Sequence, residues 1–203
     1  MFKKTDAGVL AGFTMVEIVV MLAIIVLISS VLLANFPGFN EVGALLRARQ
    51  ELALDFRRLQ NYALAVSNVQ LENGSLVQNP RVVGAHFNRA FPNGYLLFVD
   101  SETGGTPNQY DSGDGIISQV NFLRDVKLNS FSVDSSCGPT DYTKLDVVFK
   151  SPEARMTISA DGVNIMSCTN LAVVEIKTPN LNLARTVSVW ITGYIGTEYG
   201  LTR

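Results

Sequence analysis

The chain has 203 residues, 47% of them apolar, with 16 basic and 18 acidic side chains, one histidine and two cysteines. That length supports one globular core with residues left over for an appendage. A formal charge of −2 excludes the strongly basic footprint of a nucleic-acid binder and the acidic bias of a disordered tail.

The opening MFKKTDAGVLAG carries Lys3 and Lys4 and leads into Phe13-Thr14-Met15-Val16-Glu17, after which an apolar run extends from Ile18 to Ala34. As a helix, residues 13–36 span roughly 36 Å at 1.5 Å per residue, enough to cross about 30 Å of hydrocarbon. The lysines keep the N-terminus cytoplasmic, so the chain beyond Phe36 is expected on the exported face. A secretory signal would need a small-residue cleavage site after the apolar run. Leu32-Leu33-Ala34 fits that poorly. The cleavable position is instead Gly12, ahead of the run, and a cut there removes the basic leader and keeps the helix. Glu17 is a carboxylate inside an apolar span, where a charge is costly and calls for a partner. The new α-amine on Phe13 of a neighbouring chain is one such partner; the alternative is a side chain that reaches back to the headgroups and favours the helix N-terminus.

Taken together, Lys3, Lys4, Gly12, Phe13, Thr14, Glu17 and the apolar run resemble the class III signal of type IV pilins and type II secretion pseudopilins. The resemblance implies cleavage between Gly12 and Phe13 by a prepilin peptidase, N-methylation of Phe13, and a role for Glu17 in docking onto other subunits at an inner-membrane assembly platform. It divides the chain into a leader (1–12), a transmembrane and polymerisation helix (13–36), an amphipathic half-helix (37–72) and an exported β-rich head (73–203). Met15 and Val16 depart from the more usual leucine or isoleucine.

Pro37 and Gly38 predict a kink or melted turn, because proline removes a donor and glycine adds backbone freedom. Helical spacing resumes near Glu41, with Leu45, Leu52, Phe56, Leu59, Ala63 and Val66 on one face and Arg47, Arg49, Glu51, Arg57, Arg58 and Gln60 on the other. Eight β-type runs follow, at 82–87, 95–99, 116–122, 128–133, 145–149, 156–159, 171–177 and 186–195, separated by Gly, Pro, Asn and Asp. The expected fold is α+β: a long N-terminal helix packed on an antiparallel sheet head, pilin-like in layout. Within the superfamily, Arg57 to Ala65, Phe98-Val99-Asp100, Phe149-Lys150-Ser151-Pro152 and Val187 to Tyr194 are similar to H-type minor pseudopilins. A minor subunit of a pilus or pseudopilus is the function this implies; the second class is a filament-tip module that captures DNA. The acidic excess, with only Arg203 basic in the last turn, disfavours DNA capture.

Asp100, Glu102, Asp111 and Asp114 gather in a Gly-rich loop with Asn108, an oxygen-rich set suited to calcium. A solvated acidic hairpin accounts for the same residues, and no cofactor is required. Cys137 and Cys168 lack CxxC spacing. In an exported domain a disulfide is expected, closing a loop of roughly 30 residues for about 3 to 4 kcal/mol, with two unrelated core thiols as the alternative. No GxSxG, GxxxxGK or HExxH occurs. His86 falls inside a β-type run and is expected to be structural, so the chain is read as non-enzymatic.

Overall fold

A computed structural model describes residues 12–101, 105–133, 142–167 and 169–197, with the side chains of 34–37 outside the description. Residues up to Phe39 and residues from Asn40 onward form two separate compact units.

In the first unit, Gly12, Phe13 and Thr14 precede helix α1, assigned to Met15–Ala65. Met15–Leu33 is long and apolar enough to cross a membrane, and none of it is buried within the chain. The hydroxyl of Ser30 donates to the Leu27 carbonyl at 2.8 Å, which satisfies a polar group inside the apolar run. The helical assignment continues through Pro37 and Gly38, so the expected melted turn is absent: a proline costs one helical hydrogen bond and crowds one turn, and helix on both sides absorbs that loss.

The second unit begins with the amphipathic part of α1. Leu45, Leu52, Phe56, Leu59 and Ala63 are buried, as their spacing predicted, and Ala44, Ala48 and Ala53 widen the buried stripe. The helix ends at Ala65 rather than extending to 72. Val66 turns to φ 49°, the Ser67 N–H reaches back to the Tyr62 carbonyl at 3.2 Å, and the chain enters the two-residue strand β1 (Val69–Gln70), paired with β2 (Leu76–Val77).

Two larger antiparallel sheets follow. One comprises β3 (Val82–Asn88), β4 (Gly94–Val99), β5 (Gly115–Asn121), β7 (Lys144–Lys150), β8 (Arg155–Ala160) and β9 (Val163–Asn164), in the order β5-β4-β3-β7-β8-β9. The other comprises β6 (Lys127–Val133), β10 (Leu171–Lys177), β11 (Ala184–Trp190) and β12 (Ile195–Gly196), in the order β12-β11-β10-β6. All eight predicted runs are strands, except that 186–195 is two strands. Gly193, at φ 82°, donates its N–H to the Trp190 carbonyl at 2.8 Å, and this turn folds β12 back on β11.

β10 alternates strictly, burying Ala172, Val174 and Ile176, as expected of a sheet with one covered face. The six-stranded sheet is covered on both. Val83, Ala85, Phe87, Leu97, Val147, Phe149 and Ile158 join α1 and the second sheet in one core, where Phe56 of the helix lies 5.9 Å from Phe87. The opposite face carries a smaller cluster of Val82, Phe98 and Val148 with Tyr110. Gly84 lies in this row, where a Cβ would collide with Val148 Cγ1, so glycine there lets the cluster close.

A part-buried polar contact ties helix to sheet: the Tyr95 hydroxyl donates to Asp55 Oδ2 at 2.7 Å. Burial raises the Asp55 carboxyl above its usual range, and the Tyr95 bond and Arg58 charge pull it only partly back. Burial and then the Asp55 charge hold the Tyr95 phenol well above its own range, so it stays a donor.

Candidate functional site

The first candidate site is the start of the apolar helix. Gly12 and Phe13 lie in exposed, non-helical backbone, and Phe13 is 70% exposed. Thr14 caps the helix: its Oγ1 accepts the Glu17 N–H at 3.2 Å and its carbonyl accepts the Ile18 N–H at 3.2 Å. Thr14-x-x-Glu17 has the residue types and spacing of a capping box. Glu17 sits in the first turn, where the helix dipole favours a carboxylate, and is the only charged residue in Met15–Leu33. The sequence features at Gly12, Phe13 and Glu17 are therefore brought together in one turn of exposed chain, at the boundary between irregular backbone and helix.

The second candidate is the acidic loop over the outer face of the six-stranded sheet. Its described carboxylates accept hydrogen bonds from the loop's own backbone. Asp100 Oδ2 accepts the Asn108 N–H at 2.7 Å. Asp111 Oδ2 accepts the Thr106 N–H at 2.5 Å. Asp114 takes two donors, the Ser101 N–H at Oδ1 (2.9 Å) and the Asp111 N–H at Oδ2 (2.8 Å). Glu102 lies outside the described residues. Among the described residues no three His, Cys, Asp or Glu side chains converge as a metal site. The arrangement is that of short acidic side chains closing tight turns.

This loop sets Tyr110 on the sheet. The phenol ring stacks 4.7 Å from the His86 ring and meets Phe98 edge-on at 5.3 Å, while buried Gln109 donates to the Gly162 carbonyl at 2.9 Å. Beneath Tyr110, His86 Nδ1 and Asp146 Oδ1 lie 2.6 Å apart, both side chains buried. The Tyr110 N–H also donates to this carboxylate. Burial pushes the Asp146 carboxyl up; the His86 bond and charge and the Tyr110 bond counter it only in part.

Cross-strand pairing explains the contact. Gln119, Leu96, His86, Asp146 and Ser159 form one row across β5, β4, β3, β7 and β8. In that order the acid sits between histidine and serine, and the Ser159 hydroxyl donates instead to the Asn108 carbonyl at 3.4 Å. The row is thus not a nucleophile–base relay, which needs the imidazole in the middle. Reading along the sequence missed this pair; its signal is one His and one Asp, each inside an otherwise apolar β-type run.

Cys137 and Cys168 lie outside the described residues. The chain is α+β, with an N-terminal apolar helix able to cross a membrane and antiparallel sheets, a layout compatible with that of pilins. No protein-family model, curated protein or solved structure matches it significantly.

Proposed function

We propose that this chain is a structural subunit, of the minor class, of a type IV pilus or type II secretion pseudopilus. It is made as a precursor, inserted with its N-terminus cytoplasmic and its head exported. Prepilin peptidase cuts it between Gly12 and Phe13, and it joins other subunits at the inner-membrane assembly platform through its N-terminal helix. It performs no catalysis of its own in this reading.

The observation that carries the reading is the turn around Thr14. The Gly12–Phe13 bond lies in exposed, non-helical backbone and directly precedes a capped apolar helix. Its Met15–Leu33 stretch buries nothing within the chain and holds one charge, Glu17. An apolar surface of this kind needs lipid or other helices to cover it. In a bundle of such helices an unpaired carboxylate is costly, and the amine freed at Phe13 by cleavage supplies the opposite charge.

Co-expression with a prepilin peptidase, followed by intact-mass analysis, tests this. The expected product begins at Phe13 and carries one added methyl group. A mature N-terminus beyond Ala34 identifies an ordinary secretory signal and overturns the proposal.

A further inference from the structure

We infer that the head carries a binding site for a neutral saccharide in the cleft at the β3–β4 end of the six-stranded sheet, a property separate from assembly. The cleft encloses about 430 Å³, within the roughly 300–1,000 Å³ of small-molecule sites. Its walls come from three adjacent strands, the β3–β4 turn and the acidic loop.

The lining chemistry selects the ligand class. Gln119 and Asn121 bring side-chain amides, each pairing a donor with an acceptor, the pattern that vicinal hydroxyls satisfy, whereas Asn88 Oδ1 already accepts the Ala90 N–H at 2.9 Å. Apart from His86, no described lining residue is of an ionisable acid or base type other than the tyrosines, so nothing there compensates the desolvation of a charged ligand. Phe91, in the turn, lines the cleft and is 72% exposed. The negative face of an aromatic ring suits the weakly positive C–H face of a pyranose. Most of the lining is apolar with a few convergent polar groups, as ligand sites are.

His86 supplies a directed group. Asp146 holds Nδ1 at 2.6 Å, so Nε2 is the ring nitrogen left for a ligand, as donor or acceptor according to the tautomer. The Tyr110 ring lies 4.7 Å from the imidazole, tilted by 37°. A buried imidazole beside side-chain amides and an exposed aromatic residue suits a ligand rich in hydroxyls, which both donate and accept.

The test uses the full chain in lipid nanodiscs without glycolipid, probed by saturation-transfer NMR with cellobiose and with diacetylchitobiose at about 10 mM, a concentration suited to weak sites. At least one disaccharide should receive saturation. Gln119→Ala and Phe91→Ala, both at exposed positions, should each weaken its binding about five- to tenfold, as loss of one hydrogen bond or one stacking face predicts, with thermal unfolding unchanged. The inference is overturned if neither disaccharide binds, if neither substitution weakens binding, or if an acidic oligogalacturonide or an extended alanine tetrapeptide binds the same cleft more tightly than both sugars.

Discussion

Thr14 Oγ1 accepts the backbone N–H of Glu17 at 3.2 Å, so the residue that starts the apolar helix and the only charge within its membrane-length stretch are joined through the main chain rather than through the carboxylate. The Glu17 side chain is therefore not needed for this cap, and the two roles can be separated by mutation.

Glu17→Ala should leave membrane insertion, cleavage at Gly12 and head stability intact while incorporation into filaments falls, because the proposed partner of the Phe13 amine is gone. Glu17→Asp, shorter by one methylene, should fall between. Thr14→Ala should instead fray the first helical turn, at about 1 kcal/mol. Sheared filaments compared with membrane-bound subunit on one blot provide the measurement; full assembly of Glu17→Ala would return Glu17 to a helix-start carboxylate alone.

Tyr95→Phe removes the donor that bridges sheet and helix at Asp55. The expected cost near neutral pH is about 1–2 kcal/mol. Because the folded Asp55 carboxyl is raised, its contribution to stability is fully present below the ordinary carboxylate range and is lost as pH rises through the folded value. Without the Tyr95 bond the folded value rises further, so the deficit of Tyr95→Phe should be smaller at about pH 4 than at about pH 7. Urea unfolding at both pH values checks the sign.

His86→Leu strands the buried Asp146 carboxylate and should cost about 3 kcal/mol. Adding Asp146→Leu should recover most of that loss, since removing both members of a buried pair is far less costly than removing one. A double-mutant cycle by chemical denaturation decides; a double variant as unstable as the single would mean that Tyr110 and the loop, not the His86–Asp146 contact, depend on these positions.

Asp114→Ala removes acceptors for the Ser101 and Asp111 N–H groups at once. The expected loss is about 1–2 kcal/mol, concentrated in the loop, with faster hydrogen exchange at Ser101 and Asp111 and weaker packing of Tyr110 on His86. Asp114→Asn keeps one acceptor oxygen and should lose less. Equal exchange in all three proteins would show that the loop is held by Tyr110 and Gln109 alone.

Sequence alone determined the features whose cause is local. Lys3, Lys4, Gly12, Thr14 and Glu17 ahead of an apolar run can be read in order, because membrane length and helix capping depend on near neighbours. The burial of Leu45, Leu52, Phe56, Leu59 and Ala63 follows from their 3.6-residue spacing, and each β-type run announced a strand by its apolar, branched content. Only the tertiary structure decided what meets across distance. Pairing register set His86 beside Asp146, 60 positions apart, and it also put Asp146 between His86 and Ser159. Nothing local to β3 or β7 encodes that order, since a one-residue slip sends every side chain to the other face. The acidic loop is the same lesson: its composition fits a cation and fits a self-capped turn equally. Which oxygens turn toward backbone N–H groups depends on Tyr110 and Gln109 seating on a sheet that the loop's own residues do not specify.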